Sequence, residues 1–142
     1  MKLELKHLAP YLPYGLKAKM LDCKIDYVGK QFDEIIGVHQ WSKDGDWCLL
    51  TEGGSKPSLD RIKPILRNLS DLTKEIEHNG EKFVPIDRLT CWFDFTYLDT
   101  HSLYIHEYPY NVVEKLFEWK FDYFDLIPNG LAIDINTLTN DI

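Results

Sequence analysis

The chain has 142 residues, of which 44% are hydrophobic and 27% charged, and a net charge of −7. That length suits one domain over residues 1–142 with a core that needs no staples, and the composition excludes wholesale disorder. The acidic balance argues against a nucleic-acid partner, and no apolar run nears the ~18 residues of a membrane span.

The opening MKLELKHLAP alternates charge with leucine. It lacks the continuous apolar stretch of a signal peptide, so the expected location is the cytoplasm. Cys23, Cys48 and Cys91 lie far apart with no C-x-x-C pair. An odd, sparse set predicts buried free thiols rather than a disulfide framework or a zinc site.

Charge is unevenly spread. Lys2, Lys6, Lys17 and Lys19 face only Glu4 within residues 1–20, and Lys56, Arg61, Lys63, Arg67 and Lys74 face Asp60 and Asp71 within 56–74. Each stretch is therefore net +3, whereas residues 81–142 hold four cations against eleven anions. A mildly basic side and a strongly acidic one follow, and like-charge blocks are in the first place solvated faces.

In chain order, Leu16–Leu21 reads as a strand. Residues 35–41 are β-rich, and Asp44-Gly45 is a two-residue hairpin turn signal. Pairing across it sets Lys43 opposite Asp46 and Trp41 opposite Cys48. The Gly-Gly-Ser-Lys of residues 53–56 lacks phosphate-loop spacing and reads as a turn. Pro64 breaks any helix there, so residues 62–67 are extended. Ser70 then caps a short helix over about 71–78, ended by Asn79-Gly80 as a left-handed C-cap. Residues 83–86 follow as an edge strand or extended segment, because Pro85 cannot donate to a ladder. The main helix is expected over about 111–124, with Asn111 as N-cap and Val113, Leu116, Phe117, Phe121 and Phe124 on its apolar face. Pro128-Asn129-Gly130 is a turn, and residues 131–135 alternate like a strand. The pattern predicts an α+β fold: a small antiparallel sheet, one main C-terminal amphipathic helix and one short helix.

Three stretches stand out together: MKLELKHLAPYLPYGL at the start, KPILRNLSDLTKEIEHNGEKFVPI in the middle and LFEWKFDYFDLIPNGLAIDINTL near the end. They cover nearly half the chain and resemble a family of small phage and prophage proteins of gut anaerobes, a family without assigned function. Residues 89–110 depart most from its pattern. The resemblance implies a mobile-element origin and a bacterial cytoplasm, and it brings no activity, cofactor or site residue with it.

Four constellations could carry function. Asp94, Asp99, His101, His106 and Glu107 have ligand types that suit zinc, manganese or iron, but no specific spacing; H-E-x-x-H is absent. Cys48 or Cys91 could meet His39, His101 or His106 as a nucleophile pair, with nothing in the sequence to orient it. Lys56, Arg61, Lys63 and Arg67, helped by Lys17 and Lys19, could touch phosphates, although stacking aromatics are lacking and the acidic half would repel a polyanion.

The fourth is the most unusual. Residues 89–114 contain no Lys or Arg, and residues 92–110 hold seven aromatics: Trp92, Phe93, Phe95, Tyr97, Tyr104, Tyr108 and Tyr110. A buried hairpin, residues 92–97 with 103–108, accounts for the rings. A docking surface through Trp92, Phe95, Tyr97, Tyr104 and Tyr108 also accounts for the acids among them. The resulting expectation is an accessory protein of mobile-element origin that acts by protein–protein contact, with a host or phage partner or with itself. It is expected to need no metal or cofactor, and the sequence leaves catalysis open. The rivals are a metal-dependent hydrolase built on residues 94–107 and a nucleic-acid-associated regulator built on the basic side.

Overall fold

The computed structural model describes residues 1–21, 32–40, 47–54, 56–89 and 109–138. A short helix α1 (Leu5–Leu8) runs into a 3₁₀ turn (Ala9–Tyr14). Strands β1 (Leu16–Met20), β2 (Phe32–Gln40), β3 (Trp47–Thr51) and β4 (Ile62–Leu66) follow, then a small hairpin of β5 (Ile76–His78) and β6 (Glu81–Phe83). Helices α2 (Pro85–Leu89) and α3 (Tyr110–Glu118) precede the two-residue strand β7 (Ile133–Asp134). The α+β expectation agrees with this arrangement.

The larger sheet has the order β3-β2-β1-β4-β7. It is mixed rather than wholly antiparallel, because β7 joins β4 in parallel through Ile65–Ile133 and Leu66–Asp134. The alternation of β1 gives the sheet two chemically distinct faces. Leu16, Ala18 and Met20 point inward and pack with Ile35, Leu49, Ile62 and Leu66 beneath Leu8, Tyr11 and Leu126. Lys17 and Lys19 point outward, opposite Glu34 and Phe32 on β2, and Lys19 also lies opposite Lys63 on β4. Burying one face of a pleated strand leaves its other face polar, as this sequence pattern requires.

The β2–β3 hairpin forms with a register two residues from the expected one. Cys48 lies opposite His39, not Trp41, and Gln40 opposite Trp47. The offset is already present at Gln40–Trp47, the described pair nearest the turn, and a separate irregularity, a bulge, lies between Ile35 and Gly37. Trp41, Lys43 and Asp46 lie outside the described residues.

Two helices expected from the sequence are revised. Residues 71–78 do not form one; a 3₁₀ turn (Leu69–Thr73) is capped by Asn68, not Ser70, with the Asn68 side-chain Oδ1 accepting from the Ser70 N–H at 3.0 Å. Asn79 and Gly80 have φ of 52° and 81°. They form the turn of the β5–β6 hairpin, in which Glu77 faces Lys82. Asn-Gly serves a left-handed C-cap and a type I′ turn equally, and a helix of eight residues has too little propagation to win. Pro85, rather than sitting in an edge strand, opens α2, where its missing N–H costs nothing.

The C-terminal helix is shorter than its periodicity suggests. It begins after Pro109, which takes the N-cap position expected of Asn111, and stops at Glu118. Lys120 then adopts φ 64°, the Lys120 N–H donates to the Phe117 carbonyl at 3.1 Å, and the Phe121 N–H donates to the Leu116 carbonyl at 2.8 Å. This is a Schellman closure with lysine where glycine ordinarily sits. Phe121 and Phe124 keep helical spacing but belong to the turns beyond. Val112, not Val113, is the buried valine, with Leu116 and Trp119. These three pack with Leu69, Leu72, Ile76, Leu89 and Phe121 as a second core cluster.

The segment expected to be a strand over residues 131–135 pairs only at Ile133–Asp134 and closes as a 3₁₀ turn (Ile135–Thr137). The two ends of the chain meet at Tyr11. Its buried hydroxyl donates to the Phe121 carbonyl and accepts from the Tyr123 N–H at 3.1 Å.

Candidate functional site

Where the outer face of the sheet meets the second core cluster there is a cleft of about 520 Å³. Ile65 of β4 lines it beside Arg67, while the Leu66 side chain is fully buried in the core on the other face. Tyr14, Gly15 and Lys17 form one wall, and Glu77, His78 and Asn79 of the hairpin form the other. Lys120 enters from the end of α3, and Ile135 and Leu138 close the far side. Gly15 has φ 79°, and a Cβ there would collide with the Glu34 carboxylate. Glycine thus lets the chain turn into β1 while Glu34 lies against it at the cleft edge.

Arg67 is the joint of the site. Its N–H donates to the Lys120 carbonyl at 2.7 Å, and its carbonyl accepts from the Asp122 N–H at 2.9 Å. In the side chain, Nε donates to the Trp119 carbonyl at 3.1 Å and Nη2 to the Glu77 carbonyl at 2.8 Å. Lys120 Nζ donates to the Glu118 carbonyl at 3.1 Å. Both cations are therefore held by main-chain oxygens. Among the described residues no carboxylate reaches ion-pair distance of either.

The electrostatics follow from this crowding. Burial lowers the Lys120 ammonium below its ordinary range, and the Arg67 guanidinium beside it adds to the effect. Burial likewise lowers Arg67, with Asp71 opposing. His78 is held toward its neutral form, first by burial and then by Lys120 and Arg67. Groups that lose charge affinity in this way respond to an arriving anion, which would stabilise all of them at once.

A second hollow of about 330 Å³ shares His78 and Asn79 with the first. There Arg88 lies 3.8 Å from the centre of the Phe83 ring, and Phe83 packs on Trp119 with centroids 5.1 Å apart. Its cations differ from those of the cleft: Arg88 pairs with Glu81, and Lys115 pairs with Glu118 at 2.8 Å. Side by side, the cations of one hollow are in direct ion pairs, whereas among the described residues Arg67 and Lys120 in the other are not, although Glu34 and Glu77 also line it.

Of the basic residues singled out from sequence, Lys17 and Arg67 come together in the cleft. Lys19 and Lys63 lie side by side on the same outer face, and Lys56 and Arg61 are exposed outside the cleft. Tyr14, His78 and Lys120 were not indicated, and Lys120 could have been suspected only by noticing a cation near a helix end. His39 and Cys48 do oppose each other across β2 and β3, but the Cys48 thiol is buried and sealed from substrate. Trp92, Phe95, Tyr97, Tyr104 and Tyr108 lie outside the described residues, as do Asp94, Asp99, His101, His106 and Glu107. Among the described residues no three His, Cys, Asp or Glu side chains converge as a metal site, and no helix is long and apolar enough to cross a membrane. No protein-family model, curated protein or solved structure matches the chain.

Proposed function

We propose that this chain is a binding protein and that the cleft beside Arg67 receives an anionic group of its ligand. One observation carries the reading: Arg67 and Lys120 are half-buried, adjacent and held by main-chain carbonyls alone, whereas Arg88 and Lys115 in the neighbouring hollow each have a glutamate. Buried charge is costly unless paired, so an anion from outside would supply the missing partner. Titration of the full chain with inorganic phosphate and with sulfate tests this. Saturable binding weakened by Lys120→Gly is expected; the absence of saturable binding by either ion would falsify it.

A second reading keeps the aromatic segment as a protein-docking surface. Tyr110, the last of its seven rings, is 79% exposed at the start of α3. Large rigid rings beside carboxylates suit a basic or aromatic-seeking partner, consistent with an accessory protein of mobile-element origin. In this reading Trp92, Phe95, Tyr97, Tyr104 and Tyr108 form the contact. Tyr97→Ala, Tyr104→Ala or Tyr108→Ala should weaken complex formation by ~2 kcal/mol with the fold intact. If every such change unfolds the protein, the segment is core and the reading fails.

A further inference from the structure

We propose that the anion taken by the Arg67–Lys120 cleft is a phosphate monoester in its dianionic form, carried on an apolar or aromatic body. The inference rests on the anion-binding reading above and specifies its ligand.

Charge comes first. Arg67 and Lys120 bring two positive charges with no carboxylate in ion-pair contact among the described residues. The third cation, Lys17, has Glu34 as its cross-strand partner. The carbonyls of Glu118 and Trp119 that hold the two cations belong to the C-terminal end of α3, whose dipole offers only about half a negative charge. Glu77 also lines the cleft, so the lining as a whole carries one net positive charge, but its carboxylate makes no ion pair with either cation among the described residues. A monoanion such as a carboxylate would leave one of the two cations without a direct anionic contact. A dianion offers charge to each in direct contact.

Donor geometry agrees. The guanidinium commits Nε and one Nη2 proton to carbonyls, and Lys120 commits one ammonium proton. Three guanidinium protons and two ammonium protons are left over. That supply exceeds what the two oxygens of a carboxylate use and suits the three oxygens of a phosphoryl group, to which arginine binds through two parallel hydrogen bonds.

The backbone gives an independent sign. Lys120 occupies a left-handed position with φ 64° in a motif that glycine closes without strain. A lysine at that site costs conformational energy and places its ammonium at the cleft. Strain of this kind is found where a side chain is needed for function.

The remaining walls describe the body of the ligand. A cleft of about 520 Å³ falls within the range of roughly 300–1,000 Å³ typical of small-molecule sites and exceeds what a bare phosphate would fill. Ile65, Ile135, Leu138 and Tyr14 provide an apolar lining. Glu34 and Glu77 flank the cations, so a single compact charge is accepted and a polyphosphate backbone is repelled.

Titration calorimetry of the full chain tests the proposal, with phenyl phosphate, benzenesulfonate, benzoate and inorganic phosphate as probes and an oligothymidylate as the polyanion. Phenyl phosphate should bind at least about tenfold more tightly than the monoanionic benzenesulfonate and benzoate, and more tightly than inorganic phosphate. Lys120→Gly should remove about tenfold of that affinity without lowering thermal stability, a combination that a purely structural lysine would not give. Arg67→Lys, which keeps the charge and loses the planar fork, should bind more weakly than wild type. If benzoate or benzenesulfonate binds as tightly as phenyl phosphate, the dianion assignment fails and anion binding stands. If the oligothymidylate binds best, with steep salt dependence, the monoester assignment fails in favour of a nucleic-acid backbone. If no anion binds, both readings fall.

Discussion

Arg67 and Lys120 are joined through the main chain as well as across the cleft: the Arg67 N–H donates to the Lys120 carbonyl at 2.7 Å. The cation on the sheet and the cation at the helix end therefore share one rigid joint. Neither can be displaced without opening the link that carries β4 on to Phe121, with which Arg67 forms a parallel bridge.

Arg67→Met should expose the structural half of this role. The part-buried Trp119 carbonyl would lose its side-chain donor, and an unsatisfied buried acceptor costs about 1–3 kcal/mol, whereas the exposed Glu77 carbonyl turns to water. A loss of roughly 1 kcal/mol in urea unfolding is expected, from the Trp119 carbonyl alone. A loss under about 0.5 kcal/mol would mean that water replaces the guanidinium freely.

Lys120→Gly should act in the opposite direction. Relief of the left-handed strain is worth about 1 kcal/mol, against the flexibility glycine adds to the unfolded chain. Stability should hold or rise slightly. A drop above about 1 kcal/mol in the same assay would show that the ammonium, not the backbone, secures the end of α3.

Tyr11→Phe removes one hydroxyl, and with it a donor to the Phe121 carbonyl and an acceptor for the Tyr123 N–H, two groups that keep a 2.9 Å bond to each other. The expected cost is about 1 kcal/mol, that of a typical hydrogen bond, because the two main-chain groups keep each other as partners. A thermal melt indistinguishable from wild type would contradict the arrangement at Tyr11.

Stability should depend on histidine protonation. Burial holds both His7 and His78 below the ordinary imidazole value of 6.5, so each folds more readily neutral than charged. Their contribution is fully present above pH 6.5 and is lost as pH falls through the depressed folded-state values. The urea midpoint should therefore be level above that pH and decline below it. The double variant His7→Gln/His78→Gln should flatten the decline, and an unchanged slope would rule out these two groups as its source.

How much of this was legible in the sequence varied with the length and uniqueness of each signal. β1 and β4 were legible because alternation and Pro64 both exclude a helix. The β5–β6 hairpin was not, because its strands are three residues long and Asn79-Gly80 fits two structures equally well. The extent of α3 was misjudged because Phe121 and Phe124 continue its periodicity after Lys120 has turned the chain. Lys17 and Arg67 were recognisable as basic. Their convergence was not, because it depends on the β1–β4 pairing and on a helix end more than fifty residues further along the chain.

The bond between Tyr11 and Phe121 spans 110 residues. Its consequence lies in biosynthesis. A ribosome adding roughly 5–20 residues per second delivers α1 and β1 several seconds before the groups that cover them. During that interval Leu16, Ile35 and Leu49, all later buried, have no C-terminal lid of Leu126 and Ala132 above them. The nascent chain must stay soluble with this half-built core exposed, and contacts of such long range also make closure slow. Truncation before residue 121 should therefore yield a product that aggregates rather than a smaller stable fold.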